Sequence, residues 1–131
     1  MMLLEHMGKA ELAARGVPVP SGRLADSAES ARVAAAALDG DVVVKAQVPA
    51  GGRGKAGGIK RAPNPAVAAA EAAVLLAQPL LGHQVRGVLV EERLEIEREL
   101  FLGLAVEPSS GGYLALFSDQ GGINIEEVAA R

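Results

Sequence analysis

Residues 42–61 constrain the fold more than any other stretch, because an apolar strand there runs directly into a glycine-rich basic loop. Three consecutive valines favour a buried β-strand, and Lys45 follows them. An ammonium group in a buried strand costs free energy unless an anion pairs with it. The placement of Lys45 therefore predicts an anion beside it and suggests a bound anionic ligand.

The loop after this strand combines backbone freedom with positive charge. Its glycines are Gly51, Gly52, Gly54, Gly57 and Gly58, and its basic side chains are Arg53, Lys55, Lys60 and Arg61. Glycines let the backbone take positive φ and approach a ligand closely. No acidic residue lies between positions 42 and 70. Free amide donors together with cationic side chains suit a polyphosphate better than a neutral ligand.

The same loop resembles other known motifs only in part. The spacing of Gly52, Gly54 and Gly57 matches a dinucleotide-binding fingerprint, but that motif needs a helix at the glycines, and residues 59–61 are typical of a strand. The Walker motif fails because Ala56 follows Lys55, which leaves no hydroxyl for magnesium. A solvated surface loop explains the glycines and charges but not a lysine inside the strand. Lys45 therefore favours nucleotide phosphate.

Composition narrows the class of protein. The chain has 131 residues, of which 50% are hydrophobic and 2% aromatic, so a single domain with a core of small and aliphatic side chains is expected. The net charge of −3 disfavours nucleic-acid and membrane-surface partners. The chain has no cysteine and no long apolar run, and an acidic residue, Glu5, lies near its start. These features predict a cytoplasmic protein without disulfides or a signal peptide.

Apolar spacing and turn residues predict an α/β (α+β) domain with a small mixed sheet flanked by helices. Helices are predicted at 3–15, 28–38 and 66–78, and strands at 42–48, 58–61, 87–91, 100–106 and 113–117. The second helix would be capped by Asp26 or Ser27, and the third would begin at Asn64-Pro65. The third helix would bury Val67, Ala70, Val74 and either Leu75 or Ala77. Continuous apolar runs at 87–91 and 100–106 predict strands buried on both faces.

These residues also carry a resemblance to a known family. The segments VKAQV at 44–48 and AGGRGKAGG at 50–58 resemble the ATP-grasp signature of the succinyl-CoA synthetase β subunit and related ADP-forming acyl-CoA ligases. Further segments resemble the family in the same order: 4–9, 16–20, 90–91, 99–103 and 121–126. The resemblance implies the N-terminal part of an ATP-grasp fold, with residues 1–131 forming one partial domain of a longer subunit.

The resemblance assigns seven residues to a nucleotide site, namely Lys45, Gly52, Arg53, Gly54, Glu91, Leu94 and Glu99. It implies that Lys45 contacts the α or β phosphate and that the segment 52–54 closes over the other phosphates. The backbone of Glu91 would face the adenine amino group, and the Leu94 amide a ring nitrogen. The Glu99 carboxylate would accept from the ribose hydroxyls, which suits an acceptor-only group.

The implied activity is that of a ligase that forms a carbon–sulfur bond. ATP would phosphorylate a histidine on a partner α subunit, the phosphate would pass to a carboxylic acid such as succinate, and CoA would displace it. The resemblance puts the magnesium ligands beyond the end of this chain. Segment 121–126 resembles a family segment near the metal side of the site, but Gln120 stands where the family usually has an acid. No catalytic residue and no metal ligand is predicted in residues 1–131. A non-catalytic nucleotide-binding or assembly fragment is the alternative, and the acid itself stays open.

Overall fold

The structure is a computed structural model that describes residues 2–119, and the chain divides into two compact units, 1–94 and 95–131. The first unit contains α1 (Glu5–Ala13), β1 (Gly22–Ala25), α2 (Ala28–Ala36), β2 (Val42–Ala46), β3 (Ile59–Ala62), α3 (Pro65–Ala77), β4 (Pro79–Leu80), β5 (His83–Gln84) and β6 (Val88–Glu92). The second contains the hairpin of β7 (Phe101–Glu107) and β8 (Gly112–Ser118).

The main sheet has the strand order β1-β6-β2-β3. The predicted class, helices flanking a small sheet, is confirmed, but the pairings β1–β6, β6–β2 and β2–β3 are all antiparallel, so this sheet is not mixed. The basic loop joins β2 to β3 as a hairpin, which forces the antiparallel direction. The edge strand β1 was not predicted, because its sequence GRLA lacks the β-branched alternation of a strand.

The core lies on one face of this sheet, beneath α2 and α3. Val42, Val44, Val88 and Val90 are fully buried there, and alanines of both helices pack against them. Small side chains let the helices approach the sheet closely, as the composition predicts.

The helix starts agree with the sequence, but the buried face of α3 agrees only in part. Ser27 caps α2 in a capping box with Ser30, and Asn64 accepts a hydrogen bond from the Val67 amide at the start of α3. In α3 the buried residues are Ala68, Ala72 and Leu75, so Leu75 of the predicted face is confirmed and Val67 is half-buried. The predicted Ala70, Val74 and Ala77 are exposed. Apolar residues surround this helix on nearly every side, so their spacing does not identify the buried face.

The second unit confirms the predicted hairpin but not its burial. Leu102 and Leu104 are 72% and 75% exposed in β7, where two buried faces were expected. By contrast, Val88, Leu89, Val90 and Glu91 of β6 are buried, as predicted for a strand with two buried faces. Among residues 2–119 no helix has both the length and the apolar character needed to cross a membrane.

Candidate functional site

Lys45 and Glu91 lie together on the face of the sheet opposite the apolar core. The register places Lys45 opposite Leu89 and Val43 opposite Glu91, and alternate residues of a strand share a face. Lys45 and Glu91 are therefore diagonal neighbours. The Lys45 Nζ donates to Glu91 Oε2 at 2.6 Å, with the side chains 17% and 3% exposed.

Helix α1 brings two more charged groups to this pair. Glu5 and Lys9 are four residues apart, so they point to the same side of the helix, and Lys9 Nζ lies 3.1 Å from Glu5 Oε1. Glu5 Oε1 also accepts from Lys45 Nζ at 3.2 Å, and Lys9 pairs with Glu91. The carboxylates of Glu5 and Glu91 thus bridge the helix to the sheet.

Arg53 joins the same group from the basic loop. Its Nη2 donates to Glu5 Oε2 at 2.8 Å, while its Nη1 donates to the Ala46 carbonyl at the end of β2 at 2.9 Å. The Arg53 carbonyl accepts from the Gly58 amide at 2.8 Å, which folds the loop back on itself. We call Glu5, Lys9, Lys45, Arg53 and Glu91 the ion cluster. Its three cations against two carboxylates leave one net positive charge.

The ion cluster lowers the pKa of Glu5 and raises the pKa of Lys45. Burial disfavours the charged form of Glu5 and would raise its pKa, but the Lys45 and Lys9 ammonium groups outweigh burial and lower the pKa from 4.5 to about 2. For Lys45, burial would lower the pKa, whereas the hydrogen bond to Glu91 and the charge of Glu5 raise the pKa above 10.5. Both groups are therefore charged across the physiological range.

The prediction that Lys45 pairs with an anion is confirmed, but the partners are carboxylates of the chain itself. The burial of Lys45 is therefore not, by itself, a sign of a ligand. The argument for a polyphosphate ligand rests instead on the net positive charge of the ion cluster and on the glycine-rich basic loop beside it.

The loop offers backbone amides next to the ion cluster. Gly52 has φ +75, a conformation that favours glycine. A Cβ added at Gly51 or Gly52 would meet nothing within 4 Å, so this part of the loop borders open space. A ligand could approach the backbone here without displacing a side chain.

Five of the seven predicted site residues lie in the ion cluster or in the loop beside it. Lys45, Arg53 and Glu91 meet in the ion cluster, and Gly52 and Gly54 flank Arg53 in the loop. Leu94 follows β6 and is 52% exposed, while Glu99 belongs to the second unit.

Sequence reasoning missed Glu5 and Lys9 as members of the site. Their only local signal is an opposite-charge pair at helical spacing, which usually marks a solvated helix face. Their partners in the sheet and the loop lie 40 or more residues further along the chain.

A metal site was expected outside this chain. Within residues 2–119 no group of three or more His, Asp or Glu side chains is arranged to hold a metal ion. The segment 121–126, predicted to lie near the metal, is outside the described residues.

A pocket of about 240 Å³ lies between α1 and the sheet. Ala10 and Ala13 line it from the helix and Leu24 and Leu89 from the strands, while Glu91 borders it beside the ion cluster. The helix is therefore not tightly packed on this face of the sheet.

A model of the ATP-grasp domain matches residues 2–131, and the chain belongs to that family, whose members bind nucleotide. More narrowly, the chain matches the N-terminal ATP-grasp region of ADP-forming succinate–CoA ligase β subunits. It is 47% identical over its whole length to subunit beta 2 of Streptomyces coelicolor, and it spans 34% of that relative's length.

Solved structures agree with this assignment. The chain is similar to the dinucleotide forming acetyl-coenzyme A synthetase 1 of Ca. Korarchaeum cryptofilum in complex with coenzyme A, Ca-AMPCP and HgCl+. The TM-score is 0.80 at 26% identity, covering 97% of this chain and 57% of that one. A second structure of that enzyme, with coenzyme A, acetyl-coenzyme A and a phosphorylated phosphohistidine segment, gives a TM-score of 0.74 at 27% identity. It covers 95% of this chain and 55% of the other.

Proposed function

We propose that the ion cluster and the basic loop form the phosphate end of an ATP or ADP site, in the β subunit of an ADP-forming acyl-CoA ligase of the succinate–CoA ligase type. The observation that carries this proposal is the net positive charge of the ion cluster beside loop backbone, at Gly51 and Gly52, that borders open space. Cations and free amides in one place are the groups that hold polyphosphates.

Within this site we assign the phosphate contacts to the loop and the strand. Lys45 would donate to the α or β phosphate, and the amides of Gly52 and Gly54 with the Arg53 guanidinium would hold the others. A guanidinium can bind two phosphate oxygens at once, which favours Arg53 over Lys55. Loss of one charge-assisted contact costs about 1.5 to 3 kcal/mol, or roughly ten- to a hundredfold in affinity.

We assign the adenosine contacts to three other residues. The backbone of Glu91 and the amide of Leu94 would meet the adenine edge, which presents one donor and one acceptor. The Glu99 carboxylate would accept from the ribose hydroxyls. These three roles follow from the resemblance of residues 90–103 to the family.

In the complete enzyme, the bound ATP would transfer its γ-phosphoryl group to a histidine of the α subunit and leave ADP. The phosphoryl group would pass to the carboxylate of an acid such as succinate, and the CoA thiolate would then displace inorganic phosphate to form the thioester. The solved structure with a phosphorylated phosphohistidine segment supports such a relay. Magnesium would neutralise the phosphates when bound, and we place its ligands outside the described residues.

The proposal is tested by calorimetric titration of the 131-residue chain with ATP and ADP. Lys45→Met removes the charge while keeping much of the length and apolar character of the side chain, and it should weaken binding about tenfold or more. Lys55→Met, a change of the same chemistry in the same loop but outside the ion cluster, should weaken binding less. ATP binding that is detectable in the parent and unchanged by Lys45→Met would refute the phosphate assignment.

A second assay separates the ligase from the alternative, a nucleotide-binding or assembly fragment. The longer subunit that contains this chain is mixed with its α subunit, ATP, CoA and succinate. Thioester formation supports the ligase, whereas ATP binding without thioester for any carboxylic acid tried supports the alternative.

A further inference from the structure

Helix α1 is held to the sheet mainly by charge. It contains no buried residue, and its first turn has no side-chain cap at Leu4. Glu5 and Lys9 contact charged side chains of the sheet, and His6 bonds through its backbone amide and its ring to Gln47, just after β2. A pocket of about 240 Å³ lined by Ala10 and Ala13 of this helix borders Leu24 and Leu89 of the sheet.

The contacts of Glu5 occupy the same cations that the proposed function gives to phosphate. One Glu5 oxygen accepts from Lys45 and the other from Arg53, at 3.2 and 2.8 Å. A polyphosphate brought to these cations would place its charge next to the carboxylate. Because like charges repel strongly at such distances in a partly buried site, phosphate and Glu5 cannot both keep full contact with Lys45 and Arg53.

Of the two carboxylates in the ion cluster, Glu5 is the one that can leave. Glu91 is 3% exposed and lies within the central strand β6, whereas the Glu5 side chain is 17% exposed and begins a helix without buried residues. Displacing Glu91 would disrupt the sheet, but displacing Glu5 requires only a shift of α1.

We propose that Glu5 is an internal competitor for nucleotide phosphate, so that nucleotide binding displaces it from Lys45 and Arg53 and loosens α1 from the sheet. This inference rests on the proposed function and adds a coupling between the phosphate site and the first helix. The pKa of about 2 keeps Glu5 charged at physiological pH, so the competition is always present. Glu5 thereby lowers the affinity for nucleotide and links α1 to the occupancy of the site.

The first test compares the ATP dissociation constants of the parent and Glu5→Gln by calorimetry. Removing the competing charge should tighten ATP binding about tenfold, the low end of the effect of one charge-assisted contact. Structural damage would weaken binding, so a gain in affinity cannot come from misfolding. Glu11→Gln is the matched control: it lies on the same helix, pairs with exposed Arg15, and should leave ATP affinity unchanged.

The second test uses the parent alone and so does not depend on the folding of a variant. Amide hydrogen exchange is measured with and without saturating ATP, and the amides of α1 should exchange faster with ATP while those of β2 and β6 are slowed or unchanged. A folded Glu5→Gln with equal or weaker affinity, or α1 amides that are not accelerated in the parent, overturns the inference. If the parent itself binds no ATP, the proposed function fails as well.

Discussion

Acidification should remove a measurable part of the stability of this fold through one residue, Glu5. The pKa of its carboxyl falls from 4.5 to about 2 in the folded chain, because Lys45 and Lys9 outweigh the effect of burial. Each pKa unit corresponds to about 1.4 kcal/mol, so the ionised Glu5 contributes about 3 kcal/mol of folding free energy at neutral pH. A contribution of this size is a large fraction of the stability of a small domain.

The sign follows from the direction of the shift. A folded pKa below the unfolded value means that the unfolded chain binds the proton first, so the stabilisation is complete above about pH 5 and is lost as the pH falls towards 2. Integrating between these pKa values, about 2 kcal/mol of the contribution should be gone by pH 3.

The measurement is urea unfolding of the parent and of Glu5→Gln from pH 7 to pH 3. The difference in unfolding free energy between the two proteins should shrink by about 2 kcal/mol over this range, since only the parent has the Glu5 carboxyl to protonate. Glu11→Gln, whose pair with Arg15 is exposed, should differ from the parent by a small and nearly constant amount. A parent-to-Glu5→Gln difference that does not change with pH would refute the ion-pair argument.

Two further predictions use matched pairs of substitutions. A Cβ at Gly58 would lie 3.1 Å from the Arg53 carbonyl, so Gly58→Ala should lower the unfolding free energy by about 1 kcal/mol or more. A Cβ at Gly51 meets nothing within 4 Å, so Gly51→Ala should leave the unfolding free energy nearly unchanged. Equal melting temperatures for the two variants would contradict this prediction. Val44 is fully buried, whereas Val74 is 55% exposed. Val44→Ala should therefore lower the free energy of urea unfolding by about 2 kcal/mol, and Val74→Ala by less than about 0.5 kcal/mol. Similar losses for the two variants would show that the buried face of the sheet is assigned wrongly.

Local chemistry made the loop and the helix ends predictable from the sequence. Ser27 and Asn64 cap helices through side-chain oxygens that reach amides three residues away, so the signal lies within one turn. The strand at 42–46 and its glycine loop were likewise visible in valines and glycines that are close in sequence. Such features depend on residues that are close in the sequence, so the sequence alone is enough to predict them.

The partners of Lys45 could not be predicted in this way. Glu5 is 40 residues before it and Glu91 is 46 residues after it, and they meet only because β6 pairs with β2 in one particular register. A slip of one residue would turn Glu91 to the other face of the sheet. The anion was predictable from the cost of a buried ammonium, but its identity required the tertiary fold.

The two edge strands of the main sheet expose backbone groups that could pair with another chain. In the described residues β1 and β3 are the end strands of the order β1-β6-β2-β3, so each leaves one row of backbone donors and acceptors without a strand partner. Open edges of this kind invite two molecules to join into a continuous sheet and aggregate. Here β1 carries Arg23 and β3 carries Lys60. Two copies that met edge to edge would bring like charges together, so these cations protect the fold against self-association.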